Sequence, residues 1–299
     1  MRVAYIQDLN PFLHGGGAQA TDQEIVKEAF RRGYDVDLIT PENFHEPQCD
    51  LVIFSNCHAL MYNMGSNMLK IAEKAPYVCF HHDYFCKYRL FYPMEEKCKS
   101  CVYLGPWRKL YHNSVLNIFM SPLHREGFLY VMPELEKYPY ALVPSCINPK
   151  DYECKEVIDP KENQVCGVNV LLDFKGKNNI VKYVQQHPEL SFIFAGGVEG
   201  EVLLPHNAKY VGPKSREELV KLYAESEYLI HLPSSSPFDR IPVEFLIANP
   251  KGKLITNRNV GSLSYEGVVE NGKLNRQELI RLVSTAPQTF WNEVEAHVA

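Results

Sequence analysis

The chain of 299 residues lacks several features that would assign it to a class at once. No apolar run approaches the ~20 residues that a membrane-spanning helix needs, and the first residues show no signal-peptide cleavage pattern. The net charge of −5 does not suit a general nucleic-acid binder. No internal repeat or low-complexity segment is evident. These absences predict a cytoplasmic globular protein that does not act on nucleic acid.

The composition is that of a soluble globular protein, with 45% hydrophobic and 22% charged residues. The length is sufficient for two domains of ordinary size. Nine cysteines in a chain of this length indicate reduced thiols or metal ligands rather than a disulfide framework.

Short apolar runs that predict strands alternate with helical segments. Near the start, strands at residues 3–6 and 36–40 enclose a glycine triplet at 15–17 and a helix whose capping box is predicted at Thr21–Glu24. This alternation indicates parallel strands joined by helical crossovers. The triplet does not match G-x-G-x-x-G, so the usual dinucleotide site is not predicted.

The second half repeats the alternation and places glycine and serine loops after its strands. Helices are predicted at 178–186, 242–248 and, separately, 275–283 and 289–298, with a capping box at Ser215–Glu218. In the first half, one further helix is predicted at 64–74. Ligands of parallel sheets bind outside the carboxyl ends of the strands, where a helix N-terminus favours phosphate. The second half is therefore predicted to hold a nucleotide-like anion.

The order of seven short motifs carries a family resemblance. They are residues 15–17, His82–Tyr84, residues 143–148, Lys175–Gly176, Phe194–Gly197, Gly212 before Arg216–Leu219, and residues 233–244. In this order they resemble the retaining glycosyltransferases of the GT-B fold, the large GT4-like group known as glycosyltransferase family 4 or group 1. The resemblance covers nearly the whole chain.

The resemblance implies an α/β protein with two Rossmann-like parallel-sheet domains facing a cleft and a C-terminal helix that crosses back to the first domain. The expected bounds are an acceptor-side domain at 1–145, with a cysteine-bearing insertion at 85–112, a nucleotide-sugar-binding domain at 146–280 and a terminal helix at 281–299. The implied activity is transfer of a sugar from a UDP- or GDP-sugar to an acceptor, with retention of configuration.

The resemblance also implies which residues bind the donor. Gly16 and Gly17 would lie near the diphosphate, Lys175 would contact it, and Glu244 would bind the ribose. The remaining donor-side positions are Gly196, Gly197, Gly212, Ser235 and Ser236. A lysine ammonium neutralises leaving-group charge without a metal, so no catalytic metal is expected.

His82 and Asp83 match the family's His-Asp segment facing the acceptor and the donor sugar. A histidine there could orient a hydroxyl or relay a proton, so both residues are predicted to be catalytic. The alternative is a structural histidine that is hydrogen-bonded at the end of a strand.

Two departures from the family pattern concern the donor site. Ser236 stands eight residues before Glu244, where the family has its first glutamate, and residues 167–174 contain no arginine. Asp239 is a candidate replacement for the glutamate. Lys177, Lys214 and Arg240 are candidate replacements for the missing cation. A catalytically impaired GT-B module that binds a nucleotide sugar or a partner enzyme therefore stays open as the alternative function.

Cysteines mark the predicted insertion. Cys98 and Cys101 have the spacing of a zinc knuckle, and Cys86 would supply a third sulfur for a structural zinc; free thiols or a disulfide formed during purification are the alternatives. Basic and aromatic residues alternate between Lys87 and Tyr111. They suit a lipid-linked or anionic acceptor, with peripheral contact at the inner membrane face. The alternatives are an ordinary solvated surface and stacking of the aromatic rings on the sugars of an acceptor such as a polysaccharide.

Overall fold

The computed structural model describes residues 1–84, Lys99 and residues 105–298, apart from the side chains of Tyr62 and Phe174. Backbone contacts divide the chain into two compact units. Unit 1 comprises Met1–Cys146 and Val283–Ala299, and unit 2 comprises Ile147–Leu282. In the described part of the chain, no helix is long and apolar enough to cross a membrane.

Unit 1 contains a six-stranded parallel sheet. Its strands are β1 (Arg2–Ile6), β2 (Asp35–Ile39), β3 (Leu51–Ser55), β4 (Tyr77–His81), β5 (Leu116–Phe119) and β6 (Tyr140–Leu142), in the order β2-β1-β3-β4-β5-β6. The helices are α1 (Gly17–Arg31), α2 (His58–Ala72), α3 (Gly105–Asn113) and α4 (Pro122–Val131). Strands β3 and β4 are buried along their whole length, which explains their continuous apolar runs.

Unit 2 contains a five-stranded parallel sheet. Its elements are β7 (Lys161–Val168), α5 (Lys177–Gln186), β8 (Ser191–Ala195), β9 (Ala208–Tyr210), α6 (Arg216–Glu225), β10 (Ser226–His231), α7 (Arg240–Ala248) and β11 (Lys253–Thr256), with the strand order β11-β10-β7-β8-β9. A small hairpin of β12 (Val269–Glu270) and β13 (Lys273–Leu274) precedes α8 (Arg276–Val298). The capping box predicted at Ser215 is confirmed at the start of α6.

The capping box predicted at Thr21 is wrong. Helix α1 begins at Gly17, one turn earlier, and Thr21 is buried inside it with its hydroxyl 2.6 Å from the Ser145 hydroxyl. Gly16 precedes the helix with a φ of 152°, a conformation that side chains rarely adopt. The glycine backbone, rather than a hydroxyl cap, therefore sets the start of α1.

Helix α2 begins six residues before the predicted 64–74 segment. The Asp8 carboxylate accepts hydrogen bonds from the backbone N–H groups of Ala59, at 2.6 Å, and Leu60, at 2.8 Å. A carboxylate in this place satisfies N–H groups that a helix leaves without intrahelical partners. Since Asp8 lies 51 residues before Ala59, no local sequence signal marks this start.

The two helices predicted near the chain end are one helix, α8, with Pro287 inside it. An internal proline typically costs about 3 kcal/mol. Packing offsets that cost, because Phe290 and Trp291 are fully buried, and the Trp291 indole N–H donates to the Ile25 carbonyl at 2.9 Å. The end of α8, from Val283 onward, therefore belongs to unit 1.

The predicted zinc ligands Cys86, Cys98 and Cys101 lie outside the described residues, and so does most of the predicted insertion. Within the described ranges, no group of three or more His, Cys, Asp and Glu side chains is arranged to hold a metal ion. The zinc site therefore stays a prediction.

Candidate functional site

The predicted donor-side residues of unit 2 follow the carboxyl ends of neighbouring strands. Lys175 ends a short 3-10 helix after β7, Gly196 and Gly197 follow β8, and Ser235 and Ser236 follow β10. Strands β10, β7 and β8 are adjacent in the sheet. The fold therefore brings these residues to one edge, where parallel sheets bind their ligands.

Gly176 allows α5 to start close to the loop after β10. Its φ is 85°, and a Cβ atom there would lie 2.2 Å from the Leu232 carbonyl oxygen, so no other residue fits without a shift. No side chain caps α5 at this end, and its first turn holds no acidic residue. The start of α5 beside Lys175 is consequently favourable for an anion.

Three predicted glycines meet at one loop junction. The Gly196 N–H donates to the Gly212 carbonyl at 3.0 Å, and the Gly197 N–H donates to the Asn169 side-chain oxygen at 2.7 Å. A Cβ atom at Gly196 would lie 2.1 Å from the same Asn169 oxygen. Asn169 thus holds the glycine loop, a role that the sequence analysis missed.

Lys175 is paired with a carboxylate. Its Nζ donates to Asp239 Oδ1 at 2.6 Å, and His231 Nε2 lies 2.7 Å from Asp239 Oδ2. The Asp239 side chain is 3% exposed and its φ is 59°. Burial raises the pKa of Asp239, but His231 and Lys175 outweigh it and hold that pKa well below the usual range. His231 is the fully buried last residue of β10, and no motif marked it in the sequence.

Glu244 is buried in α7 beside an arginine. Arg240 Nε donates to Glu244 Oε1 at 3.2 Å, one helical turn away. Burial first, and then the Glu244 charge, raise the pKa of the Tyr152 hydroxyl. Glu244, Arg240 and Tyr152 therefore form one cluster in unit 2.

Ser236 offers no charge where the related family has its first glutamate. Its hydroxyl is buried and has no hydrogen-bond partner among the described residues, and its backbone N–H donates to Asn259 at 3.1 Å. Ser235 beside it is half-buried. Asp239, the candidate replacement, directs its carboxylate to Lys175 and His231.

In unit 1, Gly16 and Gly17 form the start of α1. No side chain caps this helix, and no acidic residue lies in its first turn. A Cβ atom at Gly16 would lie 2.2 Å from the Gln19 side-chain oxygen. The glycines therefore leave a helix N-terminus that can accept an anion.

His82 belongs to a buried polar cluster with Tyr5, Asp22 and Ser55. The Tyr5 and Ser55 hydroxyls donate to Asp22 Oδ1 at 2.7 and 2.8 Å, and His82 Nε2 lies 3.0 Å from the same oxygen. Asp22 is fully buried. Burial, and then the Asp22 charge, raise the pKa of Tyr5 well above its usual value, so its hydroxyl stays a donor.

Several polar atoms near the carboxyl ends of β1 and β4 are buried without partners among the described residues. They are both amide atoms of Gln7, Asp22 Oδ2 and His82 Nδ1. Buried polar atoms of this kind are rare and call for a water or ligand. Asp22 and Gln7 were not predicted, because a carboxylate in mid-helix and a glutamine after a strand carry no motif.

His81 and Asp83 flank His82 in different surroundings. His81 packs against the rings of Tyr111 and Phe119, and burial lowers the pKa of His81 to about 3, so its imidazole is neutral. Asp83 is half-buried, and its carbonyl lies 3.4 Å from His124 Nε2.

No protein-family model matches the chain, and no curated protein matches it by sequence. Solved structures do resemble it. A sucrose-phosphate synthase from Thermosynechococcus elongatus has a TM-score of 0.64 at 15% identity, over 99% of this chain and 94% of that chain. An E. coli structure described as trehalose-6-phosphate bound with UDP-2-fluoro glucose has a TM-score of 0.59 at 12% identity, over 100% and 94%.

An alpha-glucosyltransferase in complex with UDP and a 13-mer DNA has a TM-score of 0.57 at 12% identity, over 100% of this chain and 94% of that chain. At such identities the likeness establishes the fold alone. The fold is the GT-B fold, with two Rossmann-like parallel-sheet units, as the sequence predicted.

Proposed function

We propose that the chain is a nucleotide-sugar-dependent glycosyltransferase that moves a sugar from a UDP- or GDP-sugar to a sugar acceptor, with retention of configuration. The observation that carries the proposal is Lys175 beside the uncapped start of α5, at the sheet edge that also holds the glycine loop. The likeness to UDP-bound glycosyltransferases over the whole chain supports it.

In the proposed donor site, each group of unit 2 has a separate task. Lys175 and the first N–H groups of α5 stabilise charge on the leaving diphosphate. The backbone of the Gly196–Gly197 loop approaches the donor, since no side chain obstructs it. Glu244 accepts hydrogen bonds from the ribose hydroxyls once it turns from Arg240.

Unit 1 is proposed to bind the acceptor. The unpartnered atoms of Gln7, Asp22 and His82 support a polar ligand at this sheet edge. The Nε2 atom of His82 already contacts Asp22 and Ser55. Its Nδ1 atom is therefore the ring nitrogen that would bind a hydroxyl of the acceptor. The proposed catalytic role of His82 rests on this arrangement and on the family resemblance, and that of Asp83 rests on the family resemblance.

A catalytically impaired module that binds a nucleotide sugar or a partner enzyme is the second candidate. Ser236 favours it, because a buried serine replaces the family's first glutamate, and Asp239 is engaged by Lys175 and His231. Consumption of the donor separates the two candidates. An enzyme consumes a UDP- or GDP-sugar faster when its acceptor is present, whereas the impaired module binds the donor without consuming it.

The first experiment is a thermal-shift screen against UDP- and GDP-sugars. A ligand at 100 times its dissociation constant stabilises the folded protein by about 2.7 kcal/mol. A hit is then tested with Lys175→Ala, which should weaken nucleoside-diphosphate binding by about 10- to 100-fold, since a charge-assisted hydrogen bond is worth about 1.5–3 kcal/mol.

Lys182→Ala is the matched control, because Lys182 is an exposed lysine of α5. Equal affinities of the Lys175 and Lys182 variants would remove Lys175 from the donor site. The proposed structural zinc of Cys86, Cys98 and Cys101 is tested separately by metal analysis of protein purified without added zinc, which should give about one equivalent.

A further inference from the structure

Every cation that the sequence offers for the donor phosphates has a carboxylate partner in unit 2. The pairs are Lys175 with Asp239 at 2.6 Å, Lys177 with Asp173 at 2.7 Å, Lys214 with Glu218 at 2.8 Å and Arg240 with Glu244 at 3.2 Å. Each of these four cations is therefore offset by a carboxylate, although phosphate sites usually concentrate positive charge.

Asp239 differs from the partners of the other two lysines. The side chains of Asp173 and Glu218 are 59% and 52% exposed, so each can turn into solvent and release its lysine. Asp239 is buried, and its other oxygen lies 2.7 Å from Nε2 of the fully buried His231. The carboxylate on Lys175 consequently stays in place when a ligand arrives.

We propose that Asp239 is an internal counter-anion of Lys175 that sets how strongly this site binds a diphosphate. The inference rests on the proposed function, because it assumes that Lys175 meets the donor phosphate. A phosphate oxygen on Lys175 Nζ would lie close to the fixed carboxylate, and like charges at such distances repel each other. Asp239 thereby lowers the affinity for nucleoside diphosphates, including the product left after sugar transfer.

The same arrangement identifies two substitutions that fit the backbone. Asp239 has a φ of 59°, and asparagine and glycine both tolerate positive φ. Asp239→Asn keeps an oxygen that can accept from Lys175 but removes the charge. Asp239→Gly removes the side chain altogether. The two variants perturb the fold differently, so one of them can decide if the other fails to fold.

The test is calorimetric titration of inorganic pyrophosphate, UDP and GDP into the full chain. We expect Asp239→Asn and Asp239→Gly each to bind pyrophosphate and the nucleoside diphosphate that the wild type accepts about tenfold more tightly. Asp159→Asn is the control, because it removes the carboxylate from an exposed pair of the same unit, with Lys251 at 3.1 Å. Its affinities should equal those of the wild type.

Two results would overturn the inference. If the wild type binds UDP or GDP and folded Asp239 variants bind it equally or more weakly, Asp239 does not oppose the ligand, and the proposed function survives. If neither the wild type nor the folded variants bind any of the three ligands, both the inference and the proposed donor site are wrong.

Discussion

The candidate sites of the two units surround their carboxylates with different partners. In unit 1, Asp22 is fully buried, and two hydroxyls and His82 surround one of its oxygens. In unit 2, four ion pairs hold the cations that were predicted for the donor phosphates, and these lysines and the arginine keep between 14% and 30% of their side-chain surface exposed. Asp22 of unit 1 thus lies in a buried polar cluster with hydroxyls and a histidine, whereas the carboxylates at the edge of unit 2 pair with partly exposed cations.

The difference predicts different responses to mutation. A buried cluster loses stability when one member is removed, because its partners are left unsatisfied away from water. The cations of the unit 2 pairs are partly exposed, so water partly screens the pairs and a ligand can reach the cations. Substitutions in unit 1 should therefore change mainly the free energy of unfolding, and those in unit 2 mainly ligand affinity.

The largest effect is expected for Trp291→Ala in unit 1. Trp291 is fully buried, donates to the Ile25 carbonyl, and contacts the ring of Tyr34 with centroids 5.2 Å apart. Its loss should lower the free energy of unfolding by about 3–5 kcal/mol, as measured by urea unfolding followed by circular dichroism. His297→Ala, at an exposed site of α8, is the control. Equal midpoints for the two variants would show that α8 does not anchor unit 1.

Asp22→Ala should destabilise unit 1 by about 3 kcal/mol, because it removes the acceptor shared by Tyr5, Ser55 and His82. Asp22→Asn keeps an oxygen in place and should cost less. Asp35→Ala, at an exposed position of β2, should stay within about 0.5 kcal/mol of the wild type. A loss for Asp22→Ala no larger than for Asp35→Ala would contradict the cluster's stabilising role.

As the pH falls, unit 1 should lose folding stability at a higher pH than unit 2. Burial lowers the pKa of His81 to about 3. Between about pH 3 and pH 6.5 the imidazole is therefore protonated in the unfolded chain but neutral in the folded chain. This stability is complete above about pH 6.5 and is lost as the pH falls toward 3; at pH 5 His81 alone should cost about 2 kcal/mol. The pKa of Asp239 in unit 2 is lowered in the folded protein. The stability that this provides is lost only when the pH falls below about 3.9, the pKa of an aspartate in the unfolded chain.

Fluorescence can follow this acid response in unit 1 alone, because both tryptophans, Trp107 and Trp291, lie there. Urea midpoints at pH 7 and pH 5 give the change. His81→Gln should reduce the difference between the two midpoints. A wild-type midpoint that does not move with pH would rule out a buried neutral His81.

The smallest effect is expected for Glu244→Gln in unit 2. It should weaken binding of UDP or GDP by about tenfold, or about 1.4 kcal/mol, and change stability less, since its Arg240 partner is partly exposed. Glu217→Gln, on the exposed start of α6, is the control. Unchanged affinity with a lower melting temperature would assign Glu244 to the Arg240 pair instead of the ribose.

The sequence alone determined the architecture, because strand and helix patterns are local. Apolar runs predicted both parallel sheets, and Ser215 with Glu218 predicted the start of α6, since both partners of that capping box lie within one turn. Loop glycines were also recognisable, because the backbone at Gly176 and Gly196 excludes other residues. The order of the motifs predicted the candidate donor residues, and their roles stay predictions.

Only the tertiary structure decided what depends on distant partners. Asp8 accepts hydrogen bonds from the first turn of α2, although it lies 51 residues before Ala59. Packing in unit 1 stabilises α8 as one helix across Pro287. Asp22 reaches His82 across 60 residues and Lys175 reaches Asp239 across 64. Such pairs leave no local pattern in the sequence, because the energy of burying a charge depends on which groups the fold brings beside it.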